Sequence, residues 1–128
     1  MQYIILIGDE KLTLNSIKEI EHYGSVSSYD VTEIKRRYCV DYGKDHIFYD
    51  YDNNIISEYE ESDLKKIPFH KPHFIMMVYR LEERMKKVIQ QDNFLRGIYI
   101  ENDYGLIVSI EEFIKLGMPV EETKPDLY

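Results

Sequence analysis

Two closely spaced histidines are the first residues of this sequence that could perform chemistry. His70 and His73 stand in the segment His-Lys-Pro-His, and two imidazoles can ligate a metal when a carboxylate joins them. Asp41 and Asp50 are the carboxylates considered for that role. Pro72 interrupts the helix that would bring both rings to one face, and no Cys-x-x-Cys or His-Glu-x-x-His motif is present. His70 and His73 are therefore weak metal candidates, and the alternative is a connecting loop whose histidines hydrogen-bond to backbone groups.

The single cysteine, Cys39, could act as a nucleophile if His46, across the turn between residues 38 and 48, activated its thiol. The alternative is that Cys39 is a small apolar core residue, as a lone cysteine in a strand commonly is. Phosphate-binding signatures are missing, because the six glycines stand singly and no Gly-Lys-Ser/Thr loop occurs. The sequence thus predicts no catalytic residue, no bound metal and no cofactor.

An acidic, tyrosine-rich segment lies between Lys44 and Lys65, where no other lysine or arginine occurs. Tyrosine offers a large contact area with a polar tip, and a negative field attracts a basic partner. We therefore expect a partner-binding surface formed by Phe48, Tyr49, Asp50, Tyr51, Asp52, Glu58, Tyr59 and Glu60. The alternative is that β propensity selects the tyrosines and that the acids only keep an exposed edge in solution.

Composition excludes several classes of protein. The 128 residues contain 24 acidic and 16 basic side chains, a formal charge of −8, which argues against binding nucleic acid by neutralising phosphates. The acid excess is largest after residue 100, where the chain has seven acidic and two basic residues. The apolar runs at 3–7 and 74–79 are far shorter than the ~20 residues of a membrane span. Because one cysteine cannot form an internal disulfide and no signal peptide is apparent, we expect a cytoplasmic protein.

The two ends of the chain show similar patterns, offset by 93 residues. At the N-terminal end the pattern predicts a strand over the 3–7 run, a brief second strand at 12–14 and a helix from Ile17 to Tyr23 capped by Ser16. The last third predicts strand, turn and strand, and then a helix near 109–116 that is capped by Ser109 and ended by Gly117. Duplication is one explanation. The other is that any β-β-α unit with a good N-cap has this pattern.

The middle of the chain alternates with the period of two that is typical of strands. It predicts strands at 33–42, 46–51 and 55–60, the last two forming a hairpin around Asn53-Asn54. The apolar run 74–79 predicts a central strand covered on both faces. Leu81, Met85, Val88 and Ile89 recur at helical spacing and predict a helix over 81–91.

Together these elements predict an α+β fold, a mainly antiparallel sheet with about three helices packed against it, in a single compact domain. We expect that domain to cover residues 1–118 and an acidic C-terminal tail to occupy 119–128. The predicted function is a small non-enzymatic protein that binds a basic protein, as an immunity-type inhibitor would, through the hairpin of residues 46–61. An adaptor or a homo-oligomer subunit would have the same surface. The alternative from another class is an enzyme or ligand-binding protein with a pocket near the loop from Pro68 to His73.

Overall fold

The computed structural model of the protein describes residues 2–34 and 36–120, and a seven-stranded sheet organises them. In chain order the elements are β1 (Gln2–Gly8), α1 (Leu14–Lys18), β2 (Ser27–Asp30), β3 (Arg37–Asp41), β4 (His46–Tyr51), a 3-10 helix (Asn53–Glu58), α2 (Glu61–Leu64), β5 (His73–Tyr79), α3 (Glu82–Ile89), β6 (Tyr99–Glu101), β7 (Ile107–Ser109) and α4 (Ile110–Lys115). The strand order is β2-β3-β4-β5-β1-β6-β7, and every neighbouring pair is antiparallel. The α+β class is confirmed in a single compact domain.

The apolar strand β5 is the middle strand of the sheet, as its continuous apolar sequence predicts. It pairs with β1 from Tyr79 opposite Gln2 to His73 opposite Gly8, and with β4 on its other side. Because successive side chains of a strand point to opposite faces, a central strand that is covered on both sides needs apolar residues at every position. Phe74 and Ile75 are both fully buried, one on each face.

The larger core lies on one face of the sheet, which we call the helical face. Ile4 and Leu6 of β1 meet Ile17 of α1, Met85 of α3 and Phe113 of α4 there, and all five side chains are fully buried. Burying a side chain of this size stabilises the fold by roughly 1.5–3 kcal/mol. The apolar spacing of α3 is confirmed, because its buried residues are Met85, Val88 and Ile89.

The opposite face, which we call the second face, carries a smaller core over β5, β1 and β6. Ile5, Ile7 and Phe74 are covered there by Ile55 of the 3-10 helix and by Ile67. This smaller core borders the site described below.

The strand predicted at 3–7 is confirmed as β1, but the predictions for the segment after it are wrong, since α1 spans Leu14–Lys18 rather than Ile17–Tyr23. Thr13, not Ser16, caps the first helix: the Thr13 hydroxyl accepts from the Ser16 N–H at 3.2 Å, and the Ser16 hydroxyl accepts from the Thr13 N–H at 3.0 Å. Because this reciprocal pair starts the helix at Leu14, no second strand forms at 12–14. At the other end the β-β-α unit is confirmed, with Ser109 as N-cap and Gly117 at a φ of 85° directly after the helix. The two ends therefore do not share one plan.

The strand predicted at 55–60 is also wrong, so the hairpin of residues 46–61 does not exist. The Asp52 side chain accepts from the Asn54 N–H at 2.9 Å and starts a 3-10 helix, which buries Ile55 in the smaller core. The strand predicted at 33–42 is shorter, Arg37–Asp41, and pairs with β2, which the sequence pattern did not indicate. The described residues contain four α-helices and this 3-10 helix rather than about three helices.

The C-terminal tail predicted at 119–128 falls mostly outside the described residues, which end at 120. Of its first two residues, Val120 is buried and joins the larger core, and the Pro119 carbonyl accepts from the Asn102 amide at 2.9 Å.

Candidate functional site

The predicted partner-binding residues of β4 divide between the two faces of the sheet. Tyr49 lies on the helical face and is fully buried, with its hydroxyl 2.7 Å from Nε2 of the buried His22. Because Nδ1 of His22 lies 3.0 Å from the Ile20 carbonyl, which can only accept, Nδ1 carries the proton and Tyr49 donates to Nε2. Tyr49 is thus a core residue and does not contribute to a surface.

Asp50 lies on the second face, and its charge is compensated from the neighbouring strand. Arg37 stands opposite Asp50 in the register of β3 and β4 and donates to both carboxylate oxygens, at 2.6 and 2.7 Å. The hydrogen bond to Asp50 raises the pKa of the Arg37 guanidinium above its ordinary value. The same guanidinium lies 4.6 Å from the ring centroid of Phe48, so both Phe48 and Asp50 are already engaged within the fold.

Three other predicted residues have local structural contacts. The Tyr51 hydroxyl contacts Nδ1 of His73 at 3.2 Å and accepts from the Asn53 amide at 2.9 Å. Asp52 caps the 3-10 helix. Glu60 is exposed at the start of α2, where its backbone N–H donates to Asp63 at 3.2 Å.

The last two predicted residues, Glu58 and Tyr59, line an acidic pocket on the second face. The pocket has a volume of about 250 Å³ and lies between the end of the 3-10 helix, α2 and the β6–β7 turn. Its floor is apolar and contains Ile5, Met76 and Ile107. Its polar lining consists of four carboxylates and two tyrosines, namely Glu58, Asp63, Glu101, Asp103, Tyr3 and Tyr59.

A hydrogen bond joins the two sides of the acidic pocket, from the Tyr59 hydroxyl to Oε1 of Glu101. Burial raises the pKa of Glu101 above its ordinary value, the neighbouring carboxylates raise it further, and the bond from Tyr59 opposes that rise only in part. Burial and the bond to Glu101 raise the pKa of Tyr59 well above the usual value of a phenol. Burial, with the Asp103 carboxylate beside it, raises the pKa of Tyr3 to about 12. The pocket therefore holds neutral tyrosines among mutually repelling carboxylates.

No cation among the described residues pairs with these carboxylates. The ion pairs of the described chain are Lys18 with Asp30, Arg37 with Asp50, Arg84 with Asp45 and Lys86 with Glu82. Lys66 is near the rim, but its Nζ donates to the Gly105 carbonyl at 3.3 Å. None of these ion pairs of residues 2–34 and 36–120 thus includes a carboxylate of the pocket, in contrast to Asp50.

The other chemical candidates of the sequence are not brought together. Within the described parts of the chain, no group of three or more His, Cys, Asp or Glu residues could hold a metal, and His70 is exposed while His73 contacts Tyr51. Cys39 is buried, and burial raises the pKa of its thiol. Its cross-strand neighbour is Phe48, whereas His46 stands opposite Asp41. His46 is therefore not the direct cross-strand partner of Cys39.

The sequence indicated only part of the acidic pocket. Glu58 and Tyr59 are among the predicted residues, whereas Tyr3, Asp63, Glu101 and Asp103 are not. Glu101 and Asp103 belong to the acid-rich part of the chain after residue 100, which was the one available signal. Glu101 and Asp103 lie close to Glu58 because β6 pairs with β1, although these two strands are about a hundred residues apart in sequence.

Within residues 2–34 and 36–120, no helix combines the length and the apolar composition that a membrane crossing requires. Comparison with protein-family models finds no family that matches the chain, and comparisons with curated proteins and with solved structures find no match either.

Proposed function

We propose that this protein is a small, non-enzymatic cytoplasmic module that binds a basic segment of another protein at the acidic pocket, as an immunity-type inhibitor would. The observation that supports the proposal is the convergence of Glu58, Asp63, Glu101 and Asp103 on an apolar-floored pocket, with no cation partner among the described residues. The relevant surface is this pocket rather than a hairpin of residues 46–61.

The electrostatics of the acidic pocket favour a cationic ligand. The raised pKa of Glu101 means that its charged form is disfavoured by burial and by the other carboxylates in the free protein. A bound cation would remove that repulsion and lower the pKa of Glu101. The same negative field repels phosphates, so the proposed partner is a protein rather than a nucleic acid.

The apolar floor and the tyrosines favour a lysine or arginine side chain over a hydrated metal ion. Both basic side chains have an aliphatic stem that packs on apolar surface while the charged head reaches a polar group. Ile5, Met76 and Ile107 provide that apolar surface below the carboxylates. Tyr3 and Tyr59 add aromatic walls that favour a nearby cation.

Affinity capture from native lysate with three forms of the protein tests the proposal. The pocket variant carries Glu58→Gln, Asp63→Asn and Asp103→Asn, and the control carries Glu19→Gln, Glu83→Gln and Glu111→Gln, which remove the same charge at exposed positions away from the pocket. We expect a basic protein, identified by mass, to be retained by wild type and control and lost by the pocket variant. Equal recovery of every partner by the pocket variant would refute the proposal.

A further inference from the structure

The strand β2 lies at one edge of the sheet and presents backbone groups on its open side. It pairs with β3, and no other described strand pairs with it. The Val31 N–H donates to the Arg37 carbonyl at 3.1 Å, so the odd-numbered residues of β2 hold the hydrogen-bonded positions of the ladder with β3. Because these positions alternate in an antiparallel pair, the N–H and C=O groups of Ser28 and Asp30 point away from β3. We call this open side of residues 26–31 the β2 edge.

The β2 edge lacks the residues that commonly prevent edge strands from pairing. From residue 25 to residue 34 the sequence has no lysine, arginine or proline, which native edges use against association. The one charged residue of β2, Asp30, is paired with Lys18 at 2.7 Å. All four residues of β2 are exposed, and Tyr29 is 50% exposed. An open edge of this composition favours the addition of another strand.

A second copy of the same strand fits the β2 edge. We propose that two copies of this protein pair β2 with β2, antiparallel about a two-fold axis, so that their sheets join into one. With Tyr29 opposite Tyr29 of the second copy, the free N–H and C=O of Ser28 meet those of Asp30 of the second copy. All outward-facing groups of β2 then have a hydrogen-bond partner. A closed two-fold dimer is also the commonest symmetric assembly of soluble proteins.

Charge and packing select this register over its neighbours. A register centred on Asp30 would place the two Asp30 carboxylates opposite each other, which is destabilising. A register centred on Ser28 would leave each Tyr29 opposite Ser27. The register centred on Tyr29 places Asp30 opposite the uncharged Ser28, and it brings two aromatic rings together at a non-hydrogen-bonded pair, where cross-strand side chains are closest.

The net charge of −8 does not prevent this pairing, because the acidic pocket is far from the β2 edge. The pocket is lined by residues of β5, β1, β6 and β7, so β3 and β4 lie between it and β2. At about 4.8 Å per strand, this distance exceeds the screening length of about 8 Å at physiological salt. A basic strand is a poorer occupant, since Asp30 is already paired with Lys18. The dimer is therefore independent of the proposed function and leaves both pockets open.

Sedimentation equilibrium of the purified full chain at increasing concentration tests the proposal. A short interface gives a weak dimer, and we expect a Kd on the order of 100 µM. Tyr29→Lys and Tyr29→Glu each place like charges opposite each other and should weaken the dimer about tenfold, whereas an equimolar mixture of the two should restore it. Tyr104→Lys, at a tyrosine that is 54% exposed in another part of the chain, is the control and should dimerise as wild type does. A monomer at every concentration up to about 1 mM, or no recovery in the mixture, would overturn the proposal.

Engineered cysteines test the register. In the proposed pairing, Tyr29→Cys places two thiols at a non-hydrogen-bonded pair with Cα atoms about 4.5 Å apart, which a disulfide can join. Ser27→Cys is the control on the same face, because its two copies would be about 13 Å apart. The native Cys39 is buried and stays in both variants. We expect a disulfide-linked dimer from Tyr29→Cys and none from Ser27→Cys, and equal yields from the two would contradict the register.

Hydrogen exchange at the amides of Ser28 and Asp30 identifies what covers the β2 edge. Self-pairing predicts that these two amides become protected as the protein concentration rises. Protection already present in the monomer would show that another segment of the same chain covers the edge. Protection only after addition of a captured basic partner would show that the partner supplies the strand. Either result would overturn the proposal of a second copy, and neither would affect the acidic pocket.

Discussion

Glu101 interacts with the other polar groups of the acidic pocket. It accepts a hydrogen bond from Tyr59, and the other three carboxylates of the pocket raise its pKa. A carboxyl whose pKa is higher in the folded state than in the unfolded chain destabilises the fold once it is ionised. That destabilisation is absent well below the unfolded pKa and fully present above the folded pKa. At neutral pH, therefore, the free protein carries a local electrostatic penalty that a bound cation would remove.

Replacing Glu101 with Gln should stabilise the free protein at pH 7. The amide oxygen still accepts from Tyr59, and the charge is gone, so we expect a gain of up to about 1 kcal/mol, limited by solvent screening of a half-buried group. Urea denaturation at pH 7 and at pH 3.5 measures it. The difference between variant and wild type should vanish at the lower pH, where wild-type Glu101 is itself protonated. A variant that is less stable than wild type at pH 7 would contradict this assignment of charge.

His22 makes the opposite contribution, on the helical face. Burial lowers the pKa of His22, and its ring hydrogen-bonds to Tyr49 and to the Ile20 carbonyl in the neutral form. Because the unfolded chain takes up a proton near pH 6.5 and the folded chain only at lower pH, His22 should reduce stability as pH falls below about 6.5. The slope due to one proton cannot exceed about 1.4 kcal/mol per pH unit.

Comparing His22→Gln with wild type between pH 7.5 and 5 isolates this contribution. The glutamine amide can accept from Tyr49 and donate to the Ile20 carbonyl, so the fold is preserved while the titrating group is lost. We expect the stability of wild type to fall more steeply than that of the variant as pH decreases, in thermal or urea unfolding. Parallel profiles would show that His22 titrates alike in the folded and unfolded states.

At the scale of the element, the 3-10 helix Asn53–Glu58 decides whether the acidic pocket exists. A strand over 55–60 would have placed Glu58 along the sheet, whereas the helix ends with Glu58 and Tyr59 at the pocket. Local sequence does not distinguish the two, because Ile55-Ile56 beside Tyr59 has the composition of a strand. What selects the helix is the Asp52 cap together with the burial of Ile55 against Ile7 and Phe74.

Truncating Ile55 tests that explanation, and truncating its exposed neighbour Ile56 serves as the comparison. Ile55→Ala removes a side chain that is 4% exposed and should cost about 2–4 kcal/mol of unfolding free energy, whereas Ile56→Ala, at 39% exposure, should change it by less than about 0.5 kcal/mol. Chemical denaturation of both variants provides the comparison. Equal losses in the two variants would mean that Ile55 does not anchor the helix.

Elements with a strong local signal were predictable from the sequence. The apolar run of β5, the helical period of α3 and the Ser109 to Gly117 unit all depend on residues close to one another. The start of α1 was not, because Thr13 and Ser16 are both good caps and the reciprocal hydrogen bonds decide between them. The strand β2 was not indicated, because all four of its residues are exposed and show no alternation.

At the scale of the whole molecule, the fold determines which of the acidic side chains behind the net charge of −8 come together and which are paired with a base. The acidic segment between Lys44 and Lys65 and the acid-rich end of the chain are separate in sequence, yet Glu58 and Asp63 of the first meet Glu101 and Asp103 of the second. Other acids of the same segment are neutralised by basic partners within the fold, Asp50 by Arg37 of the adjacent strand and Asp45 by Arg84, which is 39 residues away in sequence. Pairing of distant strands therefore determines which acids remain available, and no sequence window shows it.

Zero-length cross-linking of the captured complex measures where the partner sits. A carbodiimide joins a carboxylate to an amine only when the two are in contact, and mass spectrometry then identifies both residues. The acidic pocket predicts cross-links from partner lysines to Glu58, Asp63 or Asp103, which line the pocket. Cross-links confined to exposed acids elsewhere, such as Glu19, Glu83 and Glu111, would contradict the proposal that the pocket is the binding site.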